Sequence, residues 1–145
     1  MREILFRGKR TYNREWIEGS LLKVTFNGET VYLIFGDCFS YNGNDVMALI
    51  HALVDPATVG QYTGLTDKNG KRIFDGDIVK IWGMSAGVNG LWRVVYSEVN
   101  HEWALERDPN YHHHHFSFSD LNGFHETCEI IGNIHDNPDL LEITP

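Results

Sequence analysis

The sequence has few cysteines, no long apolar run and no secretion signal, and each lack excludes a class of protein. Its two cysteines, Cys38 and Cys128, do not suggest a disulfide framework. No stretch approaches the ~18 apolar residues of a membrane-spanning helix. The first ten residues carry charges on both sides of three apolar ones, unlike a signal peptide. We therefore expect a cytoplasmic protein with reduced thiols and no membrane partner.

Basic residues are also scarce, and they are unevenly placed. The net charge is −8. Residues 1–23 hold six basic and three acidic residues, a sum of +3, whereas residues 24–145 hold six basic and 17 acidic residues, a sum of −11. Phosphate backbones repel such an acidic chain overall, so we expect no nucleic-acid partner. A nucleic-acid-binding accessory protein that uses the basic N-terminal segment is the alternative.

Motifs of catalysis are lacking too. The sequence contains no glycine-rich phosphate loop, no G-x-S-x-G motif and no C-x-x-C pair. Asp75 and Asp77 could act as a general acid and base, but carboxylates that flank a glycine are more typical of a turn. We predict that the chain is not an enzyme and holds no cofactor.

Short segments rich in β-branched and aromatic residues, separated by turn signals, are what the sequence does contain. Asn27-Gly28 predicts a hairpin between residues 20–26 and residues 30–35. Asp67-Lys-Asn-Gly70 predicts a second hairpin-type turn. Residues 45–54 fit either a helix or a short strand, because their apolar spacing is helical but a proline follows.

The regular spacing of these segments is typical of a small barrel or sandwich. Of the two, we predict a small antiparallel barrel with little helix. We expect strands at residues 78–82, 91–96 and 129–134 to lie together in that barrel.

The stretch from Val59 to Lys80 is long and specific, and together with residues 2–8 and residues 130–141 it frames nearly the whole chain. In this order, the three stretches resemble the central signature and the two ends of the YopX family of phage and prophage proteins. The residues that match the family motif are Gln61, Tyr62, Thr63, Gly64, Leu65, Asp67, Asn69, Gly70, Gly76, Asp77, Gly132 and Asn133.

The resemblance implies a mainly β, SH3-like architecture in one YopX-like domain over residues 1–145. Within it, residues 1–58 would be an N-terminal β region and residues 59–145 the barrel-like part. The resemblance brings no known activity and therefore no catalytic residues. It implies a phage or prophage gene and the cytoplasm of a bacterial host.

Four consecutive histidines, His112 to His115, lie outside the family pattern. On a strand, His112 and His114 would share one face and could bind a transition metal. The residues that could complete such a site are Cys128, His125, Glu126 or His101. Nothing in the sequence fixes these partners in space. An exposed polar segment without a metal is the favoured interpretation, and a metal-dependent enzyme is a further alternative.

The charge asymmetry favours self-association. Residues 98–145 hold Arg107 alone against ten acidic residues, a sum of −9. The basic N-terminal segment of one copy could dock on the acidic half of another, although neutralisation within one chain is equally compatible with the sequence. The candidate interface residues are Phe6, Arg7, Arg10, Tyr12 and Trp16. We predict a non-enzymatic interaction or assembly module whose partners are itself and a phage or host protein.

Overall fold

The structure, a computed structural model, describes residues 1–36, 46–107, 115–118 and 124–142. Strands hold 51% and helices 14% of these residues, and the strands form two antiparallel sheets. The mainly β prediction is therefore confirmed, since helix stays far below the ordinary share of about one third. In the described part of the chain, every helix is too short to cross a membrane.

Eleven strands and one α-helix make up the described regular structure, with short 3-10 turns between them. The helix is α1 (Val46–Ala52). The strands are β1 (Phe6–Lys9), β2 (Trp16–Phe26), β3 (Glu29–Phe35), β4 (Leu53–Val54), β5 (Gly60–Thr66), β6 (Arg72–Phe74), β7 (Asp77–Ile81), β8 (Gly90–Ser97), β9 (Glu102–Glu106), β10 (His115–Ser117) and β11 (Cys128–Asn133).

The chain divides into two compact units, Met1–Tyr62 and Thr63–Pro145, so the boundary lies within β5. In the N-terminal unit the strands follow the order β4-β3-β2-β1-β5. The ambiguous residues 45–54 contain both predicted structures from residue 46 onwards: α1 ends at Ala52, and β4 then pairs with β3. The buried apolar side chains of this unit include Leu33, Ile34, Ala52 and Val54.

The predicted hairpin at Asn27-Gly28 is confirmed. Both turn residues have positive φ, 51° at Asn27 and 80° at Gly28, as a two-residue turn of this type requires. Phe26 pairs with Glu29 next to the turn, and the ladder continues back to Ser20 opposite Phe35.

In the C-terminal unit, β6 follows β5, and the remaining strands form a five-stranded sheet in the order β10-β9-β8-β7-β11. The three strands predicted at residues 78–82, 91–96 and 129–134 are therefore neighbours, as β7, β8 and β11. Their alternating residues face one core, because successive side chains point to opposite faces. That core contains Ile73, Val79, Ile81, Val88, Trp92, Val94, Leu105 and Cys128. No closed barrel is found among the described strands.

Candidate functional site

The family-like motif is centred on the turn between β5 and β6, which is organised by the carboxylate of Asp67. Its Oδ1 accepts hydrogen bonds from the backbone N–H of Asn69 at 2.9 Å and of Lys71 at 3.0 Å. Its Oδ2 accepts the N–H of Ile130, 63 residues away, at 3.1 Å. One nearly buried side chain thus fixes a tight turn and ties it to β11.

These hydrogen bonds determine the charge state of Asp67. Burial alone would raise the pKa of its carboxyl group, because a low-dielectric setting disfavours the charged form. The N–H groups of Ile130, Lys71 and Asn69 outweigh that effect and hold the pKa below its usual value. Asp67 is therefore an ionised structural anchor.

The same turn covers the outer edge of β11. The backbone N–H of Lys68 donates to the carbonyl of Cys128 at 2.9 Å. The Lys68 ammonium lies 3.2 Å from the carboxylate of Glu129 and 5.1 Å from the ring centre of Trp82. The carbonyl of Cys128 and the N–H of Ile130, two backbone groups on this side of β11, are thus bonded within the C-terminal unit.

The second turn of the motif, Asp75-Gly76-Asp77, joins β6 to β7. Gly76 has φ 85°, a conformation that favours glycine, and its N–H and C=O bond to Val94 and Ile134 at 2.9 Å each. The buried Asp77 accepts the N–H of Phe74 at 2.8 Å. The predicted turn is confirmed, and within it the carboxylate of Asp77 is a backbone hydrogen-bond acceptor.

The last part of the motif ends β11. A Cβ atom at Gly132 would lie 2.4 Å from Oδ1 of Asn137, so any larger residue there would force the side chain of Asn137 to move. Asn133 Oδ1 accepts the N–H groups of His135 and Asp136 at 3.0 and 2.9 Å. A 3-10 turn, Pro138–Leu140, follows.

Most of the remaining motif residues also support the fold. Gln61 pairs with Phe6 of β1, and the neighbouring Tyr62 is buried. The Thr63 hydroxyl donates to the carbonyl of Ile73 at 2.9 Å. Gly64 and Leu65 are the exposed members of this stretch. The motif therefore specifies turns and edge contacts.

The match to a family decides the relationship of the chain. The family model described as YopX protein matches residues 5–142. The chain belongs to the YopX family. Among solved structures, the YopX chain is similar to the crystal structure of protein EF1440 from Enterococcus faecalis, with a TM-score of 0.51 and 24% identity over 97% of this chain and 99% of that one. This likeness concerns the fold alone. No match is found among curated proteins.

The metal hypothesis gains no ligand set from the structure. His112 and His114 lie outside the described residues. Cys128 is buried, and burial, followed by the nearby carboxylates of Asp67 and Asp77, raises the pKa of its thiol to about 12. In the parts of the chain that are described, no group of three or more potential ligands comes together.

The candidate interface residues lie around the β1–β2 hairpin. Arg7 is almost completely buried, and its guanidinium carbon lies 4.7 Å from the ring centre of Trp16. The Lys9 ammonium lies 5.5 Å from the same ring. Phe6 and Trp16 are half-buried. Arg7 and Lys9, two of the basic residues of the segment predicted to form an interface, thus already make cation–π contacts with Trp16.

The other two candidates have partners within the N-terminal unit as well. Arg10 lies 3.9 Å from the carboxylate of Glu15. The ring of Tyr12 stacks on His51 at 4.4 Å but remains 50% exposed. Tyr12 is therefore the interface candidate with the most accessible apolar surface.

An exposed apolar surface on the β2–β3 hairpin was missed at the sequence level. We call residues 20–35 the hairpin arm. Leu22, Phe26 and Val31 are 47%, 74% and 40% exposed. Cross-strand register and the two-residue period place them on one face with Val24 and the buried Leu33. The sequence signal for it is the alternation of apolar residues in β2, which indicates one apolar face but not whether another element covers that face.

Proposed function

We propose that this protein is a non-enzymatic interaction module that associates with itself, acting for a phage or prophage in the cytoplasm of its bacterial host. The observation that carries the proposal is the exposed apolar face of the hairpin arm. Large side chains in a row on a strand pair are unusual on a free surface and typical of protein contacts. The motif residues, by contrast, are engaged in maintaining the fold.

The arm supports self-association because it is an extended, regular element with a free apolar face. Contact of Leu22 and Phe26 with a second copy would contribute in proportion to the surface it covers, up to about 1.5–3 kcal/mol for each side chain. The exposed ring of Tyr12 offers a second anchor near the basic N-terminal segment, as the charge asymmetry suggested.

Light scattering as a function of concentration tests the proposal. We expect a mass above 16.6 kDa that decreases on dilution. The double variant Leu22→Ser/Phe26→Ser should shift the transition to at least ~10-fold higher concentration, which corresponds to a loss of about 1.4 kcal/mol. A wild-type mass constant at 16.6 kDa up to roughly 100 μM would end the proposal.

The matched control is Val99→Ser, which changes another exposed apolar residue, in the loop between β8 and β9. Its mass profile should follow that of the wild type. If both variants weaken association equally, the arm is not the responsible surface, and general surface hydrophobicity explains the effect.

Within this proposal the C-terminal unit is an SH3-like barrel that acts as a rigid support. A five-stranded antiparallel sheet around one core supports this, as does the register shift between Ile130 and Gly132 in β11, because such bulges bend a strand. A crystal structure in which the ends of this sheet remain apart would exclude the barrel.

Nucleic-acid binding is the second candidate, favoured by the two cations placed on Trp16. We expect no tight binding, because the net charge is −8 and Arg14 is already paired with Asp55 at 3.1 Å. A mobility shift of duplex DNA at ~10 nM protein and physiological salt would overturn this expectation. Loss of that shift in a Lys9→Gln variant would then locate the contact.

A further inference from the structure

The outer edge of β2 is open over most of its length. β1 pairs with β2 only from Trp16 to Gly19, and β3 occupies the other side. From Ser20 to Phe26, no strand in the described parts of the chain pairs with this outer edge. An open strand edge presents backbone donors and acceptors to any second strand that fits.

The turn determines which backbone groups point outwards. In a two-residue hairpin, the pair next to the turn, here Phe26 and Glu29, exchanges both of its hydrogen bonds. Bonding alternates along the ladder, so Val24 is also directed towards β3. The N–H and C=O groups of Lys23 and Thr25 therefore face the open edge.

We infer that this outer edge pairs antiparallel with the same edge of a second copy across a twofold axis, with Val24 opposite Val24 of the second copy. This inference rests on the proposed self-association and assigns a surface and a register to it. The two hairpin arms would form a continuous four-stranded ribbon. The apolar faces of the two arms would lie on the same side of this ribbon, because opposite residues in an antiparallel pair share a face.

Side-chain chemistry selects this register. In a twofold pair, the outward-facing N–H and C=O groups of one strand must lie opposite those of the other. Of the registers that satisfy this condition, the three with the longest paired segments place Leu22, Lys23 or Val24 on the twofold axis. Lys23 on the axis would oppose two ammonium groups, which is destabilising. Leu22 on the axis would place the apolar Val24 opposite the polar Ser20 of the second copy, so Val24 would have no apolar partner across the strands.

With Val24 on the axis, Leu22 lies opposite Phe26 of the second copy, a favourable aromatic–aliphatic pair. Lys23 then lies opposite Thr25, without charge repulsion. The Lys23 ammonium already lies 5.8 Å from the ring centre of Tyr32 on β3, away from the open edge. A lysine on an edge strand commonly prevents pairing, and here it excludes the competing register while permitting this one.

A cysteine placed on the axis tests the register directly. In a Cys38→Ser background, Val24→Cys should form an intermolecular disulfide under mild oxidation. Residues opposite each other without hydrogen bonds have Cα atoms about 4.5 Å apart, within the range that a disulfide spans. Cys128 does not interfere, because it is buried and burial raises the pKa of its thiol to about 12.

Two controls use the same background. Lys23→Cys would lie diagonally from its copy, at about 7–8 Å, and Thr30→Cys would lie on β3, away from the axis. We expect at least ~10-fold more covalent dimer from Val24→Cys than from either control. Dominant cross-linking through Lys23→Cys would overturn the register.

Thr25→Pro tests the edge itself. It removes an N–H group that faces outwards, so the β2–β3 ladder keeps its bonds, and proline is tolerated on edge strands. The variant should raise the dimer dissociation constant at least ~10-fold, with an unchanged circular dichroism spectrum, whereas Thr25→Val should associate like the wild type.

The outcomes separate this inference from the proposed function. A wild-type oligomer that persists in Thr25→Pro and gives no excess cross-linking through Val24→Cys overturns the edge pairing, while self-association stands. If Thr25→Pro unfolds the arm, the Val24→Cys comparison decides alone. A wild-type chain that stays monomeric overturns both.

Discussion

Two strand edges in this protein differ in whether their backbone groups have hydrogen-bond partners. The outer edge of β11 is covered by the turn after β5: Lys68 donates to the Cys128 carbonyl, and Asp67 accepts the Ile130 N–H. The outer edge of β2 beyond Gly19 has no such cover among the described strands. The unpaired backbone groups of an uncovered edge can bind a strand of another chain, and proteins usually prevent such pairing.

The difference shows what the YopX-type motif does. Its carboxylates and glycines satisfy backbone groups within the C-terminal unit, so they protect an edge and end a sheet. The hairpin arm, the surface that we propose for self-association, carries no motif residue. In this protein the most specific stretch of sequence therefore marks structure, and the proposed function lies in an ordinary alternation of apolar and polar residues.

Removing the Asp67 carboxylate, which ties the turn after β5 to β11, should cause the largest loss of stability. Asp67→Ala leaves three backbone N–H groups without their acceptor, and we expect the free energy of unfolding to fall by about 3 kcal/mol. Urea denaturation followed by fluorescence measures it. Asp139→Ala, at an exposed carboxylate in the C-terminal 3-10 turn, is the matched control and should change stability by less than ~0.5 kcal/mol. A loss as small at Asp67 would contradict the anchoring role.

The contribution of Asp67 should also depend on pH. Its pKa is lower in the folded state than the ~3.9 of an unfolded chain, so its stabilisation is fully present above that value and is lost as pH falls through the folded pKa. The stability difference between wild type and Asp67→Asn should therefore narrow below about pH 4. Denaturation curves from neutral pH downwards measure this gap, and a constant gap would mean that charge is unimportant there.

Ending β11 correctly should matter somewhat less. In Gly132→Ala, the new methyl group would meet Oδ1 of Asn137, which now accepts the N–H of Asn133 at 3.3 Å. Because Asn137 is a side chain that can move, we expect a loss of about 1.5 kcal/mol. The double variant Gly132→Ala/Asn137→Ala removes the nearer obstacle and leaves only Cδ1 of Leu140, 3.0 Å from the position of the new methyl group. If Gly132→Ala lowers the free energy of unfolding as much in the Asn137→Ala background as in the wild type, steric conflict with Asn137 is not the cause of the loss.

Changing the arm should have the smallest effect on the stability of a protomer. Phe26→Ser alters a side chain that is 74% exposed, so the free energy of unfolding measured at low concentration should change by less than ~0.5 kcal/mol. The same variant should weaken self-association. A large loss of protomer stability would show that Phe26 packs within the chain and would remove the contrast between the two edges.

Local chemistry explains what the sequence could predict. Asn27-Gly28 determines its hairpin because only a few residues accept the backbone angles of that turn. Residues 45–54 remained ambiguous because both interpretations were physically sound. Within the described part of that segment, the helical spacing ends at Ala52, and the two residues after it extend towards Asp55-Pro56.

Long-range contacts explain what the sequence could not predict. The bond between Asp67 and Ile130 spans 63 residues, and no local pattern encodes it. Likewise, the alternation in β2 predicts one apolar face, but whether another element covers that face is decided by the fold. The placement of Arg7 against Trp16 also depends on the pairing of β1 with β2, which leaves less free charge than composition suggests.

The buried Cys128 makes the protein report on its own opening. Burial raises the pKa of this thiol to about 12, so the thiol stays protonated at neutral pH, and Cys128 has no access to solvent. An alkylating reagent can therefore reach it only when the C-terminal core opens, so in a Cys38→Ser background the labelling rate counts opening events. Each variant of the motif could be ranked by that rate under native conditions, without denaturant.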